Sequence, residues 1–455
     1  MRSAFSVEQV RAAEEPLLAA GVPLMARAST ALAVEVAHRL PSVYGARVVL
    51  LVGSGNNGAD ALYAGAWLAH RGAAVVAVLA ADPVHHALQA FLGAGGHIGM
   101  PQALRGAEAV LDGLVGIGGK GPLRPAAAEL VAGIDGGLVV AVDVPSGVDA
   151  GTGAVCEGAV RADLTVTFGA LKPGLLLARE HVGELRVVDI GLGLGGGSVE
   201  QLEDADVAAR LPRPTSSDDK YTRGVVGVVA GSPTYTGAAL LAVGGALAAG
   251  AGMVRYVGPV AEVRTRWPEA VVSHDLKGTG RVQAWVVGPG LGVGSLDVLV
   301  DVLDRPEPVV VDADALTVCA EHPYLLERRT GPTLITPHDR EFERFGPPAG
   351  ADRIGSARVM AARHGVHVLL KGSATVIAAP DGRVRVNGTG SPYLATAGTG
   401  DVLAGAAGAL LAQGLDPLAA GSVAAHVHGL AGDEARSGPS ELLERWPRVV
   451  RRLTG

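Results

Sequence analysis

The chain has 455 residues, of which 48% are hydrophobic, and a formal net charge of -7. That length exceeds what one compact core usually serves, so two domains are expected, and the apolar content suffices for both. With no basic run and no basic-aromatic stripe, a nucleic-acid partner is not expected. Aromatic residues are only 4%, so Val, Leu and Ala build the cores. The 66 glycines and 27 prolines show no period, which excludes a collagen-like repeat and predicts many glycine turns. Cys156 and Cys319 lie far apart and give neither a disulfide framework nor a metal-ligand spacing. The first residues lack an apolar signal core, so a cytoplasmic location with no membrane partner is expected.

In chain order, Ser6 and Gln9 have the spacing of a capping box, which starts a helix at Val7. A second helix pattern runs from about Leu24 to Leu40. Strands are predicted over 46–53, 75–80, 107–116, 138–147, 163–169 and 184–192, with a helix over 61–71. Val/Leu runs alternating with helices predict a parallel sheet covered on both faces, a Rossmann-like layer. Such sheets bind ligands at the carboxyl ends of their strands.

Three loops at those ends carry chemistry. The first is Gly53-Ser54-Gly55-Asn56-Asn57-Gly58-Ala59-Asp60, which is not the G-x-G-x-x-G dinucleotide pattern. The second runs from Asp112 to Arg124 and holds Gly116-Ile117-Gly118-Gly119-Lys120-Gly121-Pro122. The third is Asp143-Val144-Pro145-Ser146-Gly147-Val148-Asp149. Singly, each acid reads as a loop cap or turn former. Together they bring oxygens of Asn57, Asp112 and Ser146 to one edge, which suits a hard cation.

Between about Gly193 and Asp219, glycines, acids, prolines and serines cluster. A domain boundary is expected here, dividing the chain into 1–208 and 209–455. Tyr235 to Val254 carries no charge, but its Ala/Gly content and a strand-like sequel favour a buried helix over a membrane span. Alternation then resumes, with strands expected over 225–232, 284–292, 308–316, 333–345, 366–380 and from 383 toward 405, giving a mainly parallel α/β sandwich. Its loops include Gly288-Pro289-Gly290-Leu291-Gly292, Thr336-Pro337-His338, Lys371-Gly372-Ser373-Ala374-Thr375 and Gly398-Thr399-Gly400-Asp401. The last opens a helix, where glycine lets backbone N–H groups approach an anion and the helix dipole favours negative charge. An ordinary Asp cap, a structural histidine and a snorkelling lysine are the plain alternatives at Asp401, His338 and Lys371.

The run GSGNNGAD, DGLVGIGGKGPLR and VDVPSGVDA resembles the NAD(P)H-hydrate epimerases. Ala59 stands where that family has a second glycine, and Ala26 to Ser29 depart from its usual helix sequence. The run from Lys220 to about Gly414, with Thr336 to Glu341 and Ala395 to Asp401, resembles the NAD(P)H-hydrate dehydratase domain of the ribokinase-like superfamily. The resemblance implies α/β architecture throughout: an N-terminal Rossmann-like three-layer sandwich and a C-terminal ribokinase-like three-layer sandwich. It implies metabolite repair of hydrated NADH and NADPH. The first domain would interconvert the R and S hydrates. The second would dehydrate the S hydrate with ADP, releasing AMP and phosphate.

By the same resemblance, Asn56 to Asp60, Gly116 to Pro122 and Asp143 bind the hydrate in the first domain, with potassium on Asn57, Asp112 and Ser146. Asp143 is the proton-transfer candidate, and Lys120 or Lys172 a phosphate contact. In the second domain, Asp401 is the expected base. Ala238, Gly290, Gly292 and His338 would line the hydrate pocket, and Lys371 to Thr375 with Gly400 the nucleotide site. Magnesium is expected, without named ligands, and so is a homo-oligomer. The alternative is a hydroxymethylpyrimidine- or thiazole-type small-molecule kinase carrying a non-catalytic N-terminal binding domain.

Overall fold

The computed structural model describes residues 1–455. Two compact units emerge from the packing: Ser3–Ser198, and Val199–Gly455 together with Met1–Arg2. Residues 199–208, expected in the first domain, thus lie in the second unit. The glycine run 193–197 ends just before this division, and regular structure follows at once.

In the first unit the strands are β1 (Arg47–Val52), β2 (Ala74–Leu79), β3 (His97–Ile98), β4 (Ala109–Gly113), β5 (Leu138–Val142), β6 (Leu164–Phe168) and β7 (Glu184–Val188). They form a seven-stranded sheet in the order β3-β2-β1-β4-β5-β6-β7, with every pair parallel. The apolar runs Val48–Val52 and Val139–Val142 are buried, as a sheet covered on both faces demands. The chain leaves β1 in opposite directions across the sheet, so the switch point lies between β1 and β4, where a crevice forms at the strand ends. The loops after β1, β4 and β5 are neighbours there.

The capping box forms as expected: Gln9 N donates to Ser6 Oγ and Ser6 N to Gln9 Oε1, and the helix runs Val7–Ala19. The stretch Gly53 to Asp60 departs from a simple loop. A helix spans Asn56–Ala69, so five of those residues form its first turns. Close packing explains the early start. A Cβ on Gly58 would meet Gly53 O at 2.2 Å, and one on Gly53 would meet Leu114 O at 2.0 Å.

The second unit has strands β8 (Val199–Gln201), β9 (Val225–Val229), β10 (Met253–Val257), β11 (Val271–Ser273), β12 (Ala284–Val287), β13 (Val309–Val311), β14 (Thr333–Ile335), β15 (His367–Leu370), β16 (Val376–Ala378) and β17 (Val384–Val386). Their order is β8-β17-β16-β15-β14-β13-β12-β9-β10-β11. From β15 through β9 to β11 the pairing is parallel. The stretch expected as one strand over 366–380 is instead two, and β15-β16-β17 pair antiparallel. Lys371 to Thr375 make the turn between the first two. The helix Asp204–Arg210 packs on the helices Pro417–Glu434 and Pro439–Thr454, which anchors the residues just past the division.

The uncharged stretch after Tyr235 becomes the helix Thr236–Ala248, which packs on the helix Thr399–Ala412. Two glycines set the spacing. A Cβ on Gly245 would meet Val402 O at 2.2 Å, and one on Gly405 would meet Ala242 O at 2.0 Å. The backbones therefore touch, and small residues serve helix contact within the unit. No single helix is long and apolar enough to cross a membrane.

Candidate active sites

In the first unit, Asp143 follows β5 directly and holds φ at 65°. The left-handed region is uncommon for a residue with a Cβ and is tolerated where the surroundings fix it. Here three donors converge on Oδ1: Lys172 Nζ at 2.6 Å, Thr167 Oγ1 at 2.9 Å and Phe168 N at 3.2 Å. Lys172 also donates to Thr167 Oγ1 and to Phe168 O. Its side chain is 1% exposed. Lys172 is therefore committed to Asp143, and of the two lysines expected to meet phosphate only Lys120 is exposed.

Asp60 and Glu14 belong to the same electrostatic neighbourhood. Burial, then Asp143 and Glu14, hold the Asp60 carboxyl well above its ordinary range, and its Oδ1 is buried without a hydrogen-bond partner. The Glu14 carboxyl is also raised by burial, with Lys172 opposing and Asp143 reinforcing. Ala59 does not intrude on the site. Its methyl is fully buried in the apolar cluster with Leu32, Leu62 and Val142, so the family's second glycine is replaced without crowding.

Asp112 and Ser146 are bonded directly, and Asn57 reaches the same loops through its amide nitrogen. Asp112 Oδ1 accepts from Ser146 Oγ at 2.6 Å and from Leu114 N at 3.3 Å, and Oδ2 accepts from Ser146 N at 2.7 Å. Burial pushes the Asp112 carboxyl up to about 6 against those hydrogen bonds. Asn57 Nδ2 donates to Val115 O at 3.1 Å and Val142 O at 2.5 Å. With the amide turned over, Asn57 Oδ1 would join the Asp112, Ser146, Val115 and Val142 oxygens. Such a set, free of nitrogen and sulfur, fits a hard cation. Gly116 borders it, since a Cβ there would meet Asn57 Oδ1 at 2.4 Å. Ile117 to Pro122 continue outward, with Gly118, Lys120, Gly121 and Pro122 exposed.

In the second unit, Gly398 (φ 92°) caps the helix Thr399–Ala412 and puts Asp401 in its first turn. Thr399 Oγ1 donates to Leu394 O and Thr396 O, which ties down the turn. Burial raises the Asp401 carboxyl to about 7, helped by Asp312, Asp314 and Glu341 and opposed by Lys371. Asp401 thus sits near neutrality, as suits a general base. Lys371 Nζ lies 2.8 Å from Asp312 Oδ1 and 3.7 Å from Glu341 Oε2. Burial alone would lower its pKa, yet those carboxylates hold it above the ordinary lysine range. An atom at the Cβ position of Gly400 would lie 3.6 Å from Lys371 Nζ, so the ammonium faces the glycine turn.

His338 is half-exposed and caps the helix Asp339–Phe342 reciprocally with Glu341. A Cβ on Gly290 would meet Ala238 Cβ at 2.7 Å, so these two expected pocket residues are in contact. Gly292 N donates to Asp314 Oδ2 at 2.8 Å. At the nucleotide loop, Arg353 Nη2 donates to Lys371 O at 2.8 Å, Ala374 is buried, and Ser373 is exposed. Thr375 Oγ1 reaches only Gly372 O, at 3.4 Å.

Sequence reasoning missed Asp312, Asp314 and Glu341. Asp312 and Asp314 lie inside a run whose pattern reads as one strand over 308–316, but the strand ends at Val311, just before Asp312, as its counterpart ends at Val142 before Asp143. His428 was missed without any signal. It is buried in the helix Pro417–Glu434, its Nε2–H donates to Thr399 O at 2.9 Å, and burial pushes its pKa down to about 4.

A switch-point crevice with a buried acid–lysine pair in one unit, and a glycine turn bearing an acid raised toward neutrality in the other, mark a two-site α/β enzyme. A family model described as NAD(P)H-hydrate dehydratase matches residues 226–443, and one described as YjeF-related protein N-terminus matches residues 21–174. The bifunctional NAD(P)H-hydrate repair enzyme Nnr of Mycobacterium tuberculosis is 51% identical over 430 residues, covering 91% of this chain and 90% of that one. Its counterpart in Mycobacterium leprae is 49% identical over 467 residues, covering 99% and 98%.

A crystal structure of the ADP/ATP-dependent NAD(P)H-hydrate dehydratase from Bacillus subtilis, co-crystallised with ATP and Mg2+, matches with a TM-score of 0.50 and 32% identity, covering 55% of this chain and 97% of that one. A ribokinase-like superfamily protein from Enterococcus faecalis matches in fold, with a TM-score of 0.52 and 24% identity over 57% of this chain and 98% of that one. The chain belongs to the family of bifunctional NAD(P)H-hydrate repair enzymes. The small-molecule kinase alternative is set aside, because these relatives are repair enzymes along nearly their whole length.

Proposed function

We propose that the first unit interconverts the R and S hydrates of NADH and NADPH and that the second dehydrates the S hydrate at the expense of ADP. The observation that carries the second half is Asp401, an acid near neutrality at a glycine-opened helix end with the Lys371 ammonium beside the turn. Hydroxide is a poor leaving group. Asp401 takes the proton of the hydrate hydroxyl as its oxygen attacks the terminal phosphorus of ADP, and AMP leaves. The N–H groups of the Gly398–Gly400 turn and the Lys371 ammonium stabilise the charge on the transferring group. Phosphate then departs with its C–O electron pair, and the adjacent ring carbon gives up a proton to water or to the departing phosphate, so that its C–H electron pair re-forms the ring double bond.

Ala238, Gly290, Gly292 and His338 line the hydrate site in this scheme, and Lys371 to Thr375 with Gly400 the nucleotide site. Magnesium would neutralise phosphate charge. Asp312 and Glu341 are engaged by Lys371 and Asp314 by Gly292 N, so no protein carboxylate cage awaits the ion, and a site held largely by the nucleotide's phosphates fits better.

In the first unit, Asp143 moves the proton, Asn56 to Asp60 and Gly116 to Pro122 bind the dinucleotide, and Asn57, Asp112 and Ser146 hold potassium. The cation would supply fixed positive charge where these loops meet. Asp143 is held in place for this role by Lys172, Thr167 and Phe168 N. A cytoplasmic setting, where free dinucleotides occur, and self-association belong to the same proposal.

The test is to mix the protein with both hydrate epimers and ADP, then ATP, and follow dihydronicotinamide absorbance. Complete recovery is expected. Recovery of one epimer only removes the epimerase half, and a stable phosphorylated product removes the dehydratase half.

A further inference from the structure

Asp312 lies directly after β13 and is 1% exposed. Its Oδ1 accepts from Lys371 Nζ and from Thr336 Oγ1, each at 2.8 Å. The next residue, Ala313, has φ at 52°. Asp143 and Ala313 are the two residues other than glycine in the left-handed region, and both sit at a strand end beside an acid–lysine pair. Such strain persists where the surroundings over-determine the backbone. Tight packing enforces it here, because a Cβ on Gly288 would meet Asp312 O at 1.8 Å. The kink separates two neighbouring acids. Asp312 turns to Lys371, while Asp314 accepts from Gly292 N in the expected hydrate pocket.

We infer that Asp312 is a positioning residue for dehydration: it holds the Lys371 ammonium against the Gly400 turn and keeps Asp401 free of a lysine partner. This inference rests on the proposed dehydratase function. A lysine side chain is a flexible point charge with no fixed direction of its own. Without Asp312 the ammonium would turn to the nearest remaining carboxylates, Glu341 and Asp401. Pairing with Asp401 would stabilise its charged form and remove the basicity needed to take a hydroxyl proton. Asp312 thus acts through Lys371 and through its own negative charge. The charged groups facing Asp401 are Asp312, Lys371, Asp314 and Glu341, and His428, neutral at Thr399 O, adds hydrogen bonding without charge.

Asp312→Asn in the full chain, at saturating ADP and magnesium, is expected to lower kcat for the S hydrate by about 10–100-fold with little change in KM. The acid limb of the kcat profile should move to lower pH. Binding of ADP with unchanged affinity reports that the second unit, which carries Asp312, is folded. Asp312→Glu keeps the charge but lengthens the arm, so its acid limb should stay near that of the unsubstituted protein while kcat falls. An unmoved limb in Asp312→Asn, or an undiminished kcat in Asp312→Glu, overturns the inference. Should Asp312→Asn no longer bind ADP, Asp312→Glu decides alone. Failure of the dehydratase proposal itself would look different, since the unsubstituted protein would then show no ADP-dependent recovery.

Discussion

Each unit places an aspartate–lysine pair at the carboxyl end of its sheet, Asp143–Lys172 at 2.6 Å and Asp312–Lys371 at 2.8 Å. Each pair sits at a left-handed residue with a Cβ, Asp143 or Ala313. The difference lies in what the lysine is left to do. Lys172 is sealed, with Asp143 Oδ1, Thr167 Oγ1 and Phe168 O around its ammonium. Lys371 is 21% exposed on its side chain and faces the Gly400 turn, while a separate acid, Asp401, stays unpaired. The same pair therefore serves two ends. In the first unit it fixes the acid proposed to move the proton. In the second it leaves the acid free and holds the cation at the glycine turn, where the proposed reaction places its phosphate.

The largest expected effect separates the two sites outright. Asp401→Asn should lower ADP-dependent recovery of NADH by about 10²–10⁴-fold while epimer exchange continues. Loss of both activities would mean that the sites do not work independently. Next comes Lys172→Met, which leaves Asp143 buried without its cation. Breaking a buried pair in this way costs about 3–5 kcal/mol. Denaturant unfolding of the first unit should move to lower midpoint, and epimer exchange should fall with dehydration of the S hydrate retained. An unchanged midpoint would show that the sealed lysine contributes nothing.

The pH dependences should differ as well. Asp401 is raised to about 7, so the carboxylate that accepts a proton forms as pH climbs through that value, and kcat for dehydration should rise with it. Stability runs the other way. The folded chain holds this proton more tightly than the unfolded chain, so the group's contribution is present at low pH and lost as pH rises toward about 7. Asp112 is raised to about 6, so any response of epimerisation to potassium should fade as pH drops below that value. Asp112→Ala should weaken both epimerisation and its potassium response, and an epimerase indifferent to potassium would remove the cation from Asn57, Asp112 and Ser146. The smallest effect is expected from Ala59→Gly. Loss of a buried methyl and of helix propensity should cost about 1–2 kcal/mol, read as a lower unfolding midpoint with epimer exchange unchanged.

Much of this was legible in the chain itself. Runs such as RVVLLV and LTVTF can satisfy their backbone only as buried strands, and their alternation with helices sets a layered α/β fold. The Ser6/Gln9 box started its helix where the spacing said. Gly398 to Asp401 read as a helix-opening anion turn because only glycine accepts that backbone without strain. Local chemistry stated each of these.

Other features depended on partners distant in sequence. Whether Gly53 to Asp60 is loop or helix turned on Gly58 packing against Gly53 O and on Asn57 reaching Val142. Lys172 and Lys120 are equally cationic in sequence, and only the fold buries one against Asp143. The role of Asp312 arises because parallel pairing sets the end of β13 beside those of β14 and β15, which brings Thr336 and Lys371 to one carboxylate. Near-neighbour patterning determined the strands, helices and turns of this protein. The charge balance at its sites was decided by burial and by long-range strand order, since a side chain's pKa and partners depend on what the fold packs against it.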